Sequence, residues 1–166
     1  MLKVSDYFLV ELRQSARVVL PLDRTAEVIT RTPGEICPIP GASPTVLGVV
    51  NQRGRLLWVI ELSDLLGLAP SPKSLQSKSN LIVVLTAKSA NSTAGQPEGQ
   101  LGCVVSALKG IVTLSTNFKP VSARLSPTLG SFLSGVAEIE QSPVAVLNVN
   151  AVLAALSVPT TSLIPL

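Results

Sequence analysis

Two stretches of this chain lie over one another without a gap. When Gly48 is set against Gly135, the unit Val46 to Leu68 aligns with the unit Phe132 to Leu156. Val49 then faces Val136, Leu57 faces Val144, Val59 faces Val146, Ile60 faces Leu147, and Leu65-Leu66 face Val152-Leu153. The bend Gly54-Arg55 meets Gln141-Ser142. Upstream, Arg17 to Ile29 lies over Gln100 to Val112 with similar apolar spacing. Self-similarity on this scale predicts two lobes of one design.

Each repeated unit reads as strand, tight turn, strand and a short helical turn. Val46 to Val50 and Leu56 to Leu62 are apolar and rich in β-branched or aromatic residues, as strands favour. Gly54 supplies the positive φ that the bend needs. In the second strand Leu56, Trp58, Ile60 and Leu62 share one face, and Leu57, Val59 and Glu61 the other. Two largely apolar faces predict that one fills a barrel and the other forms a seam between lobes. Trp58 belongs to that core. Ser63 is placed to cap the short turn, with Gly67 to end it. Many short strands with turn signals point to an all-β fold of two small barrels packed side by side, with short helical turns.

The remaining segments fit this plan. Tyr7 to Leu12 and Arg17 to Leu22 read as paired strands, and Asp23 to Ile29 as a turn leading into a strand. Leu81 to Leu85 and Gln100 to Val105 are further strands, separated by a long loop at 87–99. Residues 69–80 have the Pro/Ser composition of a linker. Val112 to Leu129 reads as mostly irregular because of Pro120 and Pro127, and 157–166 as a frayed tail. The lobes are expected at about 7–68 and 81–156, with exchange of strands between them left open.

Several functions are excluded. Histidine is absent, which removes the commonest general base and metal ligand. Cys37 and Cys103 cannot form a tetrahedral zinc site alone, and two distant thiols fit a reducing cytoplasm better than a disulfide framework. Neither GxGxxG nor GxxxxGK[ST] occurs, so no phosphate loop is expected. The 13 basic and 10 acidic residues are scattered, and one Trp, one Tyr and three Phe are too few for base stacking. Nucleic acid is therefore a poor partner. Apolar runs are broken by the NQRGR loop and by Asn148 and Asn150, short of the roughly 20 residues a spanning helix requires. With no enzyme and no cofactor expected, surfaces that bind partners remain.

The hairpin LGVVNQRGRLLWVIELSDLLGL, its approach PIPGASPTVLGVVN, the opening YFLVEL…VVLPLDRTAEVI and the closing FLSGVAEIEQSPVAVLNVNAVL resemble the CheW family, the coupling proteins of bacterial chemosensory arrays. The resemblance covers about 7–156, read as a single domain. It implies two five-stranded SH3-like barrels without catalytic activity. It also implies two partners, the cytoplasmic tip of a methyl-accepting chemoreceptor and the regulatory domain of a CheA-type histidine kinase, met in the cytoplasm without membrane insertion. The family's arginine in its Asn-x-Arg-Gly turn falls on Arg53, flanked by Asn51 and Gly54, and its receptor-contact segment falls on Thr25 to Val28, with Glu27 matching. Departures are Gln52 at an often apolar position, Ser106-Ala107 in place of acidic residues, and the long loop 87–99. The expected function is a scaffold for chemotaxis, phototaxis or surface motility. The rival expectation is a carrier that holds a small apolar ligand inside a barrel.

Overall fold

Alternating side chains with apolar residues on both faces require strands that are covered twice. A computed structural model of the chain shows how; it describes residues 3–69, 79–87, 99–122 and 127–162. Within these residues ten strands run in order: β1 Val4–Glu11, β2 Arg17–Pro21, β3 Thr25–Arg31, β4 Val46–Gln52, β5 Arg55–Glu61, β6 Asn80–Thr86, β7 Gln100–Val105, β8 Ala107–Ser115, β9 Leu133–Ile139 and β10 Ser142–Leu147. Three α-helices accompany them: α1 Leu62–Leu65, α2 Pro127–Ser131 and α3 Val149–Ser162.

The strands form two five-stranded sheets, ordered β8-β1-β2-β10-β9 and β3-β6-β7-β5-β4. One order becomes the other when β1 to β5 are exchanged for β6 to β10, so the internal repeat is a repeat of topology. The sheets do not coincide with the two halves of the chain. Each sheet takes two strands from the start of one repeat and three from the end of the other. The exchange is sealed by two parallel pairs, β2 with β10 and β5 with β7. Such pairs cannot be closed by a tight turn, because parallel neighbours need a long crossover.

The two faces of each strand go to different cores. Leu57 and Val59 of β5 pack with Val50, Ile82, Val84 and Val104 inside one sheet. Tyr7, Leu9, Val19, Val144 and Val146 pack inside the other. The opposite faces, with Val10, Leu12, Leu20 and Leu147 from one sheet and Ile60, Val83, Leu85 and Cys103 from the other, meet in a larger shared core. Trp58 is half-buried and packs against that core. This is the seam predicted for the second faces.

Three expectations need correction. Val112 to Ser115 is not irregular: it belongs to β8, an edge strand whose side chains are mostly exposed. Ladder bonds to β1 from Val4↔Ser115 to Glu11↔Ala107 hold it, so it lacks the buried apolar rhythm that marks an inner strand. Pro127 opens α2, where its missing N–H costs nothing. The backbone of α3 continues to Ser162 in place of a tail beginning at 157, while 163–166 lie outside the described residues. Most of the expected linker (70–78) and of the long loop (88–98) also lies outside them.

The seam carries a polar cluster as well. Ser63 does not cap α1, whose first residue is Leu62. Its buried hydroxyl oxygen accepts the Arg13 backbone N–H at 3.2 Å. The Arg13 guanidinium, from the β1–β2 turn, pairs with Asp64 and donates to the Leu68 carbonyl at 3.2 Å. One arginine thereby ties a turn of one sheet to the helix that follows the other. Glu61 stands beside this cluster, and burial raises its pKa, opposed by hydrogen bonding to Ser63 and by Arg13 and reinforced by Asp64. A raised carboxyl pKa means the folded state holds the proton more tightly than the unfolded one. Its contribution to stability is present below the unfolded carboxyl range and is lost as pH rises through the folded value. Glu61→Gln is therefore expected to flatten the fall in melting temperature between the ordinary carboxyl range and neutrality. Superimposable pH profiles of the two proteins would show that Glu61 carries no such linkage.

Candidate functional site

The β4–β5 hairpin closes on the pair Gln52↔Arg55, leaving Arg53 and Gly54 as a two-residue turn. Both have positive φ, +56° and +81°, the pattern that matches the twist of flanking strands. Glycine adopts it freely. For arginine the left-handed region costs roughly 1–2 kcal/mol. The Asn51 side-chain oxygen offsets part of this cost by accepting the Gly54 N–H at 2.8 Å. Asn51 and Gly54 thus build the turn, and a strained position is retained for an arginine side chain.

Arg53 extends into solvent with 79% of its side chain exposed, and its Nη2 lies 3.1 Å from Glu27 Oε2. Glu27 also accepts a hydrogen bond from Gln52 Nε2 at 2.9 Å. Arg31 Nη2 donates to Gln52 Oε1, and Arg31 Nε lies 3.9 Å from Glu35 Oε2. Glu35 in turn accepts from the Thr32 backbone N–H and hydroxyl at 2.9 and 3.0 Å, which holds its carboxyl below the usual range. β3 and β4 are opposite edges of their sheet, so this chain of polar side chains joins edge to edge, consistent with a small barrel. An ion pair this exposed is worth about 0–1 kcal/mol. It steers the guanidinium without locking it.

Of the residues singled out from sequence, the structure brings Arg53, Glu27, Asn51 and Gly54 together at one end of this sheet. Thr25 stands apart, because its hydroxyl turns back to the Pro21 carbonyl at 3.0 Å. Gln52 and Arg31 belong to the network although neither was picked out as a contact. The signal for Gln52 was its polarity at an otherwise apolar position. Arg31 had none, since only the folded sheet brings β3 beside β4. The tip also exposes Arg55 and Leu56, the latter 73% exposed.

Among the described residues the interior of each sheet is packed with its own apolar side chains. An apolar cleft of about 520 Å³ lies outside them, between α3 and the sheet, lined by Trp58, Ile60, Leu101, Leu153 and Leu156 among others. The Cys103 thiol is buried and its pKa is pushed far up, chiefly by desolvation. It behaves as a small hydrophobe. Among the described residues no three Cys, Asp or Glu side chains converge on one point, and no helix is long and apolar enough to cross a membrane.

Interlocked five-stranded sheets around a shared seam, with a basic hairpin tip projecting from one of them, define an all-β protein whose distinctive chemistry is on its surface. Residues 6–157 match the CheW-like domain family, and the chain belongs to that family, one of non-catalytic scaffold and adaptor proteins of chemotaxis. The fold is also similar to the crystal structure of the scaffolding protein TtCheW from Thermoanaerobacter tengcongensis, with a TM-score of 0.67 at 19% identity over 88% of this chain and 90% of that one. No curated protein matches the sequence.

Proposed function

We propose that this chain is an adaptor that couples a chemoreceptor of the methyl-accepting type to a CheA-type histidine kinase, docking through the β4–β5 tip. The observation that carries the reading is Arg53, held in a strained turn conformation with most of its side chain in water. A planar guanidinium on a rigid tip meets a carboxylate or backbone carbonyls in a fixed geometry. Asn51 and Gly54 serve the site by shaping the turn, and Glu27 by steering the guanidinium. Thr25 lies on the same strand as Glu27 and is assigned to the receptor-facing edge. Partners that prefer different states of one another are coupled when a scaffold holds both.

Membership of the CheW-like family supports the choice of partners, and filled sheet interiors argue against the carrier. A tagged chain expressed in its native cell is expected to co-purify a CheA-type kinase and a chemoreceptor. Recovery of neither, with the tagged chain folded, would remove the coupling function.

A further inference from the structure

The cleft under α3 breaks the symmetry of the internal repeat. α1 and α3 follow equivalent strands, β5 and β10. With Gly48 over Gly135, Leu66 falls on Leu153 and Trp58 on Ala145. Leu66 is 5% exposed and packed into the shared core. Leu153 is only half-buried, and with Trp58, Ile60, Leu101 and Leu156 it borders the cleft of about 520 Å³. That volume falls within the roughly 300–1,000 Å³ of small-ligand pockets. The wall carries no charged side chain, and its polar ones are Ser43 and Gln100.

One cation stands beside this apolar wall. Arg24, from the short turn Leu22–Arg24 between β2 and β3, donates from Nε to the Thr86 carbonyl and from Nη2 to the Ala87 carbonyl, both at 2.9 Å. Nη2 also donates to Asn150 Oδ1 at 2.6 Å. Ala87 lines the cleft, and Asn150 lies one turn before Leu153 on α3. Three acceptors thus fix the guanidinium at the border of the cleft, and none of them is a carboxylate. Its Nη1 has no partner among the described residues. A planar guanidinium held in place with a donor to spare suits a carboxylate.

We propose that the cleft binds a free acyl carboxylate of medium length, its chain laid along Trp58, Ile60 and Leu153 and its head group against Arg24. The chain gains by leaving water, and the charge-assisted hydrogen bond sets its direction. The site is separate from the Arg53 tip. Val46 pairs with Ile60 at the cleft end of the β4–β5 hairpin, and Gln52 with Arg55 at the tip.

Trp58 is the single tryptophan of the chain, so its emission reports on this cleft alone. Titration of the full chain with decanoate, below its micellar concentration, is expected to change that emission saturably, with one decanoate bound per chain. Decanoate is expected to bind at least about tenfold more tightly than decanol, the effect of one charge-assisted contact. Arg24→Met should abolish this preference and leave decanol binding as it was, and Arg24→Lys should keep part of it. Ala42→Phe, at a lining residue before β4, fills the space without burying a charge and should remove binding of both compounds, with thermal melts showing each variant folded. Trp58 emission that decanoate leaves unchanged, equal affinities for decanoate and decanol, or a folded Ala42→Phe that still binds would each overturn the inference. So would a response to phosphatidylglycerol vesicles but not to decanoate, which would mark the face as a membrane surface. Kinase capture is read separately, from the binding of the kinase domain to Arg53→Glu, and does not depend on the outcome.

Discussion

Arg53→Glu is expected to leave the chain folded while lowering its affinity for the regulatory domain of the CheA-type kinase by roughly thirtyfold, the equivalent of about 2 kcal/mol for an anchoring arginine. The fold tolerates the change for two reasons. The pair with Glu27 is too exposed to contribute more than about 1 kcal/mol. The β9–β10 turn shows the conformation is open to glutamate, because Glu140 already adopts it at φ +50°. The loss would therefore be one of docking, where a carboxylate replaces the guanidinium and faces acidic or carbonyl groups of the partner. Calorimetric titration with the kinase domain, beside a thermal melt of the variant, separates the two effects. An unchanged dissociation constant in a folded variant would take Arg53 out of the site.

Gly48→Ala is expected to destabilise the chain by about 4 kcal/mol, the range reached only when a named structural feature is broken. A Cβ built at Gly48 would stand 2.1 Å from the Cys37 carbonyl oxygen and 2.6 Å from its carbon. The obstructing group is backbone and cannot turn aside. It is held there by the bridge Cys37↔Val49, with Cys37 N–H donating to Val49 O at 2.8 Å and Val49 N–H to Cys37 O at 2.9 Å. The φ of +149° adds strain for any residue with a Cβ. Gly135 repeats the arrangement in the other sheet, where Lys119 bridges Val136 and a Cβ would lie 2.8 Å from the Lys119 carbonyl oxygen. Gly34, with nothing within 4 Å, is the control. Urea denaturation of Gly48→Ala at wild-type stability would mean that the crossing segment moves freely.

The pairing Gly48 with Gly135 was legible from sequence because close crossing of two backbones admits only glycine, and it recurs in both units. The two faces of β5 were legible for a similar reason. From Leu57 to Ile60 the strand has apolar residues on both sides and no face to give to water, whereas Leu56, expected on the same face as Trp58 and Ile60, is left exposed at the tip. The exchange of strands between sheets was not legible, since neither the parallel pairing of β2 with β10 nor that of β5 with β7 leaves a local mark. β8 escaped because an edge strand held by ladder bonds can expose Leu108, Lys109 and Ile111. At the site, the turn Asn51 to Gly54 declared itself through its own residues. Its link to Glu27 depended on a sheet whose edges meet, and the turn residues carry no trace of that.

The measurement that bears most directly on the coupling function is kinase activity in a reconstituted system of receptor-containing membranes, CheA-type kinase and this chain. Phosphorylation should follow receptor ligand when the wild-type chain is present and should become indifferent to ligand when the chain is omitted or replaced by Arg53→Glu. Control by receptor ligand that is equally strong with and without the chain would contradict the account.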